Sequence, residues 1–559
     1  MPTIPCLAAI YYVDDGYVTG RSDLKGRHVA GESFLTGLFR HSGMEAFACH
    51  AYNDEAAAGF FELARRLAPG CQLWLVPTAT PEGLSQFGAL FLPGPSIGSF
   101  AWRRRQRGQR RYSLCGITHT TSEAPVFFAD LVTAPLQPWD ALICTTHAAR
   151  SSIAAVMEPY AEFLRERSTG GVFPLPEMPV IPLGIDADAF EFDEAARQAE
   201  RRQLGIGDDE IVVLFLGRLS SHSKANPIPM YIALQRAAER TGRRIHLIQA
   251  GWFSHPLTHE AFVDAARRHC PDINAIFLDG RLTEVRTRIW AAADLFTSLS
   301  DNIQETFGIS PIEAMAASLP GVVSDWNGYR ETLRDGIDGF RVPTLFPPPG
   351  AGADLSDRYG GWVDDYDHYI GRVAQLTAVD IDAAADAYTR LVADPGLRRT
   401  MGAAARARAV ATFDWRAIIP HYLDLWRHLA AVREQAAENA PWYHGSANLH
   451  FPDPFAMFAA YPTVPFSDDL RLVRCAHASM AAVQAIDSEV LNAELLGTLS
   501  PRIDLETALD ALAPPVGRTV GELLSLVPAE RRMLLARSLI HLAKFGLIRR
   551  VTDGVNHLT

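Results

Sequence analysis

The 559-residue chain has no apolar run long enough to span a bilayer, since such a helix needs about 20 consecutive apolar residues. It also lacks a basic and apolar leader with a small-residue cleavage site after Met1. These two absences predict that the protein stays in the cytosol. Peripheral attachment to the inner face of a membrane is an alternative, because it needs only a basic surface patch.

Cysteine is scarce, and positive charge is in the minority. The seven cysteines are odd in number, lack CxxC spacing and mostly fall in apolar strand-like runs such as ALICTT, so we expect reduced core residues. Lys and Arg total 52 against 64 Asp and Glu, giving a net charge of −12. This balance argues against a chain that binds nucleic acid over its whole surface.

No Asp-x-Asp motif stands at the end of a predicted strand, where it could carry a metal ion. Asp186-Ala187-Asp188 is the apparent exception. It follows a proline-punctuated segment, where two acids are more simply turn and cap residues. We therefore predict chemistry without a bound metal.

Strand-like apolar runs alternate with amphipathic helical runs along most of the chain, which is typical of parallel sheets wrapped by helices. The alternation is interrupted once, at residues 174–186 (PLPEMPVIPLGID), and begins again at EIVVLFLGRL. With 48% hydrophobic residues the chain can fill more than one core. The pattern predicts an α/β protein with two Rossmann-like domains, over residues 1–178 and 179–412.

The stretch over residues 300–339, SDNIQETFGISPIEAMAASLPGVVSDWNGYRETLRDGIDG, places Glu305 and Glu313 around a turn that opens a helix. Ser310, Pro311 and Glu313 match an N-cap serine, a proline in the first turn and a capping-box acid. Helix capping is therefore an alternative interpretation of Glu313.

The same turn is suited to an anion. The first turn of a helix leaves backbone N–H groups unpaired, and the macrodipole adds positive potential there. A phosphate near Thr306, Phe307 and Gly308 would be held without a metal, and Gly308 lets the backbone come close.

The succession ETFG, EAMA, SLP, SDWNGYRETL and DGIDGF resembles the signature of glycosyltransferase family 4. These are retaining sugar transferases of GT-B fold, with two glutamates separated by seven residues. The resemblance covers residues 1 to about 436. It implies that Glu305 lies beside the donor sugar, that Glu313 holds the nucleotide ribose hydroxyls, and that the backbone between them meets the diphosphate.

Three basic residues of the second domain fit the same resemblance. LGRLSSHSKANP follows a strand, which puts Arg218 and Lys224 at the carboxyl edge of the sheet, where ligands bind. A forked donor and a point charge suit a diphosphate leaving group, and both residues match the family's arginine and lysine. The alternative interpretation is that Arg218 and Lys224 are exposed to water and bind no ligand. Arg281, in Asp279-Gly280-Arg281, matches the place where the family receives the base.

Two first-domain residues complete the predicted site. GRHVAGESFLTGLF resembles the family's glycine-bearing loop, with Gly31 at the turn and Glu32 in the first helical turn, which implies a donor contact for Gly31. Plain helix capping is the alternative. His119, in GITHTTSEAP, ends a strand where the family often has a histidine touching the donor sugar, although a lone histidine is more often structural.

The resemblance implies a glycosyltransferase that moves a sugar from a nucleotide-diphosphate sugar, a substrate rather than a cofactor, to an acceptor hydroxyl. Glu305, His119, Arg218 and Lys224 are its predicted catalytic residues. A catalytically inactive GT-B scaffold or regulatory protein is the competing class. A GT-B phosphorylase or a sugar epimerase fits the ordered signature less well.

An arginine-rich run, AWRRRQRGQRRY, lies in the first domain, which usually meets the acceptor in this fold. It could dock an anionic lipid or an acidic glycan, since each basic residue near an anionic membrane contributes about 1 kcal/mol. A solvated helix face is the favoured alternative, because no strongly apolar face accompanies it. Its arginines are Arg103, Arg104, Arg105, Arg107, Arg110 and Arg111.

The remaining sequence is predicted to form three parts. Residues 413–436 resemble the closing helix of the GT-B fold, which crosses back to brace the first domain. Residues 437–500 are predicted to be a linker or arm. Residues 501–559 are predicted to form three helices and a short strand, an order similar to a winged-helix module. Such modules bind proteins as often as DNA, and we expect no nucleic acid here because LL, LI and L core residues separate the basic ones.

Overall fold

The structure is a computed structural model that describes residues 7–17, 26–123, 125–169, 171, 173–436, 449, 453–490, 492 and 497–551. It divides into two compact units, Met1–Phe451 and Pro452–Thr559. Of the first part of the predicted linker, residues 437–452, only residue 449 is among the described residues. Within the described ranges, no helix combines the length and the apolarity needed to cross a bilayer.

The first sheet forms from short apolar segments that are mostly buried on both faces, as in parallel sheets covered by helices. Its strands are β1 (Ala8–Tyr11), β2 (Ala46–Ala51), β3 (Gln72–Pro77), β4 (Ala89–Leu92), β5 (Ser113–Ile117) and β6 (Ala141–Ile143). Its helices are α1 (Asp14–Tyr17), α2 (Gly26–His41), α3 (Ala58–Leu67), α4 (Ile97–Arg105), α5 (Pro125–Thr133) and α6 (His147–Arg167). All neighbours are parallel, in the order β3-β2-β1-β4-β5-β6. The order reverses between β1 and β4.

The second sheet repeats this architecture. Its strands are β7 (Ile211–Leu216), β8 (Ile245–Gly251), β9 (Asn274–Asp279), β10 (Leu295–Ser298), β11 (Gly321–Ser324) and β12 (Gly339–Val342). They are parallel, in the order β12-β11-β10-β7-β8-β9, so the reversal falls between β10 and β7. A short antiparallel pair, β13 (Thr344–Leu345) and β14 (Ala378–Val379), follows.

Helices cover both faces of the second sheet and extend beyond its last strand. They are α7 (Glu194–Leu204), α8 (Pro227–Thr241), α9 (Pro256–His269), α10 (Thr283–Ala292), α11 (Ile309–Ala316), α12 (Tyr329–Thr332), α13 (Ala353–Gly360), α14 (Tyr366–Gln375), α15 (Ile381–Ala393) and α16 (Pro395–Arg408). Two parallel six-stranded sheets wrapped by helices confirm the predicted α/β fold with two Rossmann-like domains. Among the described cysteines every thiol is free, and four of the six are buried.

Helix α17 (Trp415–Gln435) returns from the second domain to the first. Asp414 begins it, because its carboxylate accepts a hydrogen bond from the Arg416 backbone N–H. The Trp415 indole N–H donates to the Ser33 hydroxyl of α2 at 2.7 Å. Further along, the ring of Tyr422 packs 5.0 Å from that of Phe34. The helix therefore braces the first domain through aromatic packing.

The second unit has its own core of aliphatic side chains. Its helices are α18 (Pro454–Met457), α19 (Met480–Asp487), α20 (Arg502–Ala511), α21 (Val520–Leu524) and α22 (Arg532–Lys544). Its strands are β15 (Arg471–Arg474), β16 (Arg518–Thr519) and β17 (Ile548–Arg550). The three helices and final strand predicted from the sequence are present. The central strand, β15, comes from the predicted linker and pairs antiparallel with both others, so the folded unit begins before residue 501.

Candidate active site

The carboxyl ends of β7 and β10 lie side by side, where the strand order of the second sheet reverses. Arg218 follows β7 after one residue, and residues 299–308 follow β10. Ligands of open α/β sheets bind at such an edge, because loops leaving the two strands diverge and open a crevice. The structure thus places the loop that carries Arg218 and Lys224 against the loop that carries Glu305.

Lys224 and Glu305 form an ion pair in this crevice. The Lys224 Nζ donates to the Glu305 Oε2 at 2.8 Å, and only 13% of the Glu305 side chain is exposed. Burial by itself raises the pKa of Glu305, but the Lys224 charge and the backbone N–H groups of Phe307 and Thr306 outweigh it. The pKa of Glu305 is therefore lowered, and its carboxylate is ionised at neutral pH.

The backbone N–H groups between the two glutamates have a different partner from the predicted one. The N–H groups of Thr306 and Phe307, predicted to meet a diphosphate, stabilise the Glu305 carboxylate in this structure. Phe307 is buried, with its ring 6.1 Å from that of Phe413. The predicted contact of these residues with a donor phosphate stays a prediction.

Helix α11 begins with a glycine rather than with the predicted serine. Gly308 is the N-cap residue, and the interpretation of Ser310 as N-cap is wrong, because Ser310 lies inside the helix. Gly308 has φ +94°, and a Cβ atom there would lie 2.2 Å from the Tyr329 ring. The sharp turn and the packing of Tyr329 both require glycine. The capping-box interpretation of Glu313 fails with Ser310.

Arg218 is half-buried beside the Lys224–Glu305 pair. Its Nη2 donates to the Gln304 Oε1 at 2.9 Å, and its guanidinium lies 6.0 Å from the centre of the Trp252 ring. Burial lowers the pKa of Arg218 from its ordinary value, and the negative charge of Asp367 opposes that shift. The guanidinium stays charged at neutral pH, so a partly desolvated cation faces the crevice.

Sequence reasoning missed the hydrogen-bonded chain that continues from Arg218. The Gln304 Nε2 donates to the Tyr366 hydroxyl at 3.1 Å, and that hydroxyl lies 2.9 Å from the Ser122 hydroxyl of the first domain. Gln304 directly precedes Glu305, which could have signalled its role. Tyr366 begins α14, about 60 residues further along the chain, and no local motif marks it.

Glu313 lies one helical turn inside α11 and is half-buried. Burial raises its pKa to about 7, and the positive charge of Arg286 only partly opposes this. Among the described residues, burial and the Arg286 charge are the influences on this carboxyl, and neither is a hydrogen bond. A half-buried carboxyl with unused acceptor atoms is suited to hydroxyl donors from a ligand.

We expect Glu313→Gln to raise the free energy of unfolding at pH 8 and to change it little near pH 5. The folded pKa of about 7 lies above the ordinary 4.5, so ionisation destabilises the folded wild type progressively as pH rises through that window. Glutamine has the same shape and no charge. Urea unfolding without ligand at both pH values measures the difference, with Glu530→Gln as the exposed control. A difference independent of pH contradicts the assignment.

The first domain contributes the residues that follow β5 and β6. The Thr306 hydroxyl donates to the His119 carbonyl at 2.8 Å, and the Thr146 hydroxyl donates to the Thr306 carbonyl at 2.9 Å. Burial lowers the pKa of His119 to about 4, although a hydrogen bond to the Pro93 carbonyl opposes this. His119 is therefore neutral at physiological pH. The His119 backbone contacts the loop that carries Glu305, whereas its side chain contacts the Pro93 carbonyl. The contact of His119 with a donor sugar stays a prediction.

Gly31 does not occupy the predicted turn. Helix α2 begins at Gly26, so Gly31 lies in its second turn, and the placement of Glu32 in the first turn is wrong as well. A Cβ atom at Gly31 would lie 1.9 Å from the Gly16 carbonyl oxygen. Close packing of the helix on the backbone of α1 therefore explains this glycine without a ligand.

Arg281 is held at the surface near the end of β9. Its backbone N–H and its guanidinium both contact the Asp279 carboxylate, with Nη2 to Oδ2 at 2.7 Å. This contact raises the pKa of Arg281, and the side chain is 52% exposed. The structure does not join Arg281 to the Lys224–Glu305 pair, and its contact with a base stays a prediction.

Asp186 and Asp188 are engaged with arginines. The Asp186 carboxylate accepts from the Arg40 Nη1 at 2.7 Å, and the Asp188 carboxylate accepts from the Arg416 Nη2 at 3.0 Å. Asp186 is the N-cap residue of a short 3-10 turn over Ala187–Phe190, as the turn-and-cap interpretation has it, but its side chain makes no capping hydrogen bond. In the part of the chain that the structure describes, no group of three or more His, Cys, Asp or Glu residues is arranged to hold a metal ion.

The arginine-rich run of α4 is not a uniform basic patch. Arg104 is completely buried, and its guanidinium forms a two-pronged ion pair with Asp140 at 2.5 and 2.6 Å. Including it among the membrane-contacting arginines was therefore wrong. Arg107 pairs with Glu82 at 2.6 Å, and Arg110 donates to the Arg433 carbonyl of α17. Arg104 and Arg107 therefore hold parts of the first domain together, and Arg110 joins that domain to α17.

Two solved structures share this fold over most of the chain. HepE of Anabaena, in complex with UDP, superimposes with a TM-score of 0.51 at 15% identity, covering 76% of this chain and 99% of that one. A glycosyltransferase from Rickettsia africae superimposes with a TM-score of 0.51 at 10% identity, covering 78% and 99%. At such low identity these matches show the fold alone, and they confirm the predicted GT-B architecture.

Sequence comparison gives shorter matches. D-inositol 3-phosphate glycosyltransferase of Kribbella flavida is 27% identical over 46% of this chain and 52% of its own length. Alpha-maltose-1-phosphate synthase of Mycobacterium tuberculosis is 28% identical over 45% of this chain and 57% of its own. The chain thus spans about half the length of these relatives. Residues 196–346, which carry Arg218, Lys224 and both glutamates, match the family described as glycosyl transferases group 1.

Proposed function

We propose that the protein is a glycosyltransferase that moves a sugar from a nucleotide-diphosphate sugar to an acceptor hydroxyl. The observation that carries this proposal is the grouping of Arg218, the Lys224–Glu305 ion pair and Glu313 around one reversal of strand order. The group lies within the segment that matches the group 1 glycosyl transferases. HepE, a neighbour in fold, was solved with UDP, which makes uridine nucleotides the first donors to test.

The cations have the central part in the proposed mechanism. As the bond between the anomeric carbon and the phosphate oxygen breaks, negative charge grows on the leaving diphosphate. Arg218 and Lys224 are fixed before the reaction by Gln304 and Glu305, so they stabilise that charge without reorganising. A bound metal ion is not needed for this role.

We further propose that the reaction retains the configuration of the anomeric carbon. The acceptor oxygen bonds to the anomeric carbon on the face that the diphosphate leaves, and the electron pair of the broken bond stays on the phosphate oxygen. That oxygen takes the acceptor proton. The ionised Glu305 positions the donor sugar, and the neutral His119 contacts the hydroxyls of that sugar. Glu313 accepts hydrogen bonds from the ribose hydroxyls of the nucleotide.

The competing class, an inactive scaffold, has no specific support in the site. A scaffold need not keep two cations and an ionised carboxylate within one crevice. A cluster of buried charges is often less stabilising than apolar side chains of similar size would be, so a protein without a use for the charges gains nothing by keeping them. The intact cluster therefore favours turnover.

Nucleotide binding tests the proposal. UDP, GDP and ADP are added to the purified chain with EDTA, and the melting temperature is followed. Saturating ligand at about 100 times its Kd should stabilise the fold by about 2.7 kcal/mol. We expect one nucleotide to do so, and its sugar conjugate to be consumed. If no nucleotide changes the melting temperature and no sugar conjugate is hydrolysed, the transferase proposal is wrong and the scaffold interpretation is left.

A further inference from the structure

A second cavity opens on the first domain, apart from the crevice that carries Glu305. It has a volume of about 530 Å³ and lies at the carboxyl ends of β1, β2 and β3. We call it the tyrosine cavity. Its walls include Tyr11, Tyr12, Asp14, Tyr52, Thr78 and Arg103. A volume of this size suits a small ligand, because such sites usually measure about 300–1,000 Å³.

Two of the three tyrosine rings are fixed by packing. The Tyr11 ring meets the Phe100 ring edge-on at 4.9 Å, and the Tyr12 ring stacks on the Tyr17 ring at 5.3 Å. Tyr52 is 73% exposed at the opening. Flat rings with an electron-rich face attract the polarised C–H groups of a sugar ring, and their hydroxyls add hydrogen bonds. Tyr12 is only 7% exposed, so the fixed Tyr11 ring and the exposed Tyr52 ring are the faces open to a ligand. These two rings favour a flat, hydroxyl-bearing ligand.

The charged groups of the cavity balance one another. Among the described residues, Arg103 contacts the Thr78 carbonyl, through Nη2 at 2.7 Å, and the Phe100 ring, so its other N–H groups are available. Asp14 supplies an exposed carboxylate. Burial lowers the pKa of His50, which packs against Tyr11, to about 4, so it adds no charge at neutral pH. One donor group and one acceptor group of opposite sign suit neutral hydroxyls better than an anion.

The tyrosine cavity shares an edge with the contact between the two domains. His119 follows β5, which is separated from β1 by β4 alone. Two inter-strand steps of about 4.8 Å place the ends of β1 and β5 about 10 Å apart. A ligand held by the tyrosines thus lies on the side of the first sheet that faces the loop of Glu305.

We propose that the tyrosine cavity binds the acceptor, and that the acceptor is an uncharged, hydroxyl-rich sugar or polyol. This inference rests on the function proposed above. The Tyr11 and Tyr52 rings supply stacking surface, the Asp14 carboxylate accepts hydrogen bonds from hydroxyls, and the Arg103 guanidinium donates to hydroxyl oxygens. An anionic acceptor is disfavoured because the Asp14 carboxylate repels it and one amino group of the Arg103 guanidinium already donates to the Thr78 carbonyl.

Saturation-transfer NMR with the full chain tests this assignment. The probes are glucose, mannose, galactose and sorbitol, each compared with glucose 6-phosphate and gluconate. We expect contact with at least one uncharged probe and weaker contact with both anions. Tyr52→Ala should weaken that contact about 3–10-fold through lost stacking. Tyr461→Ala should not, although Tyr461 of the second unit is also highly exposed, at 80% against 73% for Tyr52. Asp14→Asn should reduce the preference for uncharged over anionic probes.

Each outcome decides the proposal. The absence of a saturation-transfer signal from every uncharged probe overturns it, and so does a signal that Tyr52→Ala leaves unchanged. Tighter binding of glucose 6-phosphate than of glucose overturns the uncharged class. Nucleotide stabilisation of the wild type is measured separately. Stabilisation by UDP without sugar contact refutes this inference alone, whereas the absence of stabilisation by any nucleotide refutes the proposed function.

Discussion

We expect Arg218→Ala to lower kcat/KM for the donor by roughly 10²–10³-fold, the effect of removing one preorganised group that stabilises transition-state charge. The guanidinium is half-buried and held by Gln304 at 2.9 Å, so it acts in a site partly shielded from water. Charge interactions are stronger there than in bulk solvent. Most of the loss should fall on kcat, because charge on the leaving diphosphate grows as its bond breaks.

Two further variants separate catalysis from folding. Arg218→Lys keeps the charge but loses the fork that contacts Gln304, so we expect partial recovery. Arg267→Ala removes an exposed arginine of α9 whose partner, Asp264, lies three residues away, and it should behave as wild type. Melting temperatures without ligand check the fold of all three. A kcat/KM within threefold of wild type for a folded Arg218→Ala protein would remove Arg218 from the mechanism.

The fold was predictable because its strands are short apolar runs, separated by helical patterns long enough for parallel crossovers. Strands such as β2 and β8 are buried on both faces and consist mostly of apolar residues, so their sequence shows them directly. Their few polar side chains, such as His50 and Gln249, are hydrogen-bonded. The place of Arg218 followed from the same logic, since a residue that ends a strand lies at the ligand-binding edge. Glu305 was found through its motif rather than its environment.

The remaining features depend on contacts between distant residues. Gly31 resembles a loop glycine in sequence, and only the backbone of Gly16 against it shows that packing selects it. Arg104 looks like any member of its arginine run until Asp140, 36 residues away, is seen beside it. Tyr366 reaches Ser122 and Gln304 from a segment without a recognisable motif. No local pattern encodes such pairings.

The second unit gives the same lesson for strand pairing. The helices α20 and α22 were visible from their apolar spacing. β15 is only four residues long and lies between polar stretches, so its partners were not predictable. The Arg531 guanidinium lies 3.4 Å from the buried Asp504 carboxylate. The arginine therefore supports the core of the unit.

Substitutions in the Lys224–Glu305 pair should change the stability of the fold and the transfer activity independently. We expect Lys224→Met to lower the free energy of unfolding by about 1–3 kcal/mol at pH 7, because it leaves the buried Glu305 carboxylate without its cation. The lower part of that range is favoured, since Lys224 itself is 36% exposed and solvent screens the pair. Transfer activity should fall at least about 100-fold.

The double variant Lys224→Met/Glu305→Gln should regain most of the stability, because no unpaired charge remains buried, but none of the activity. Wild-type Glu305 has a lowered pKa, so the pair stabilises the fold above the ordinary pKa of glutamate, and that contribution is lost as pH falls through the folded pKa. The difference between wild type and Lys224→Met should therefore shrink in acid. Urea unfolding across pH and initial rates of transfer provide the two readouts. Recovery of activity in the double variant would mean that the pair only holds the crevice together, whereas stability without activity assigns both charges to the reaction.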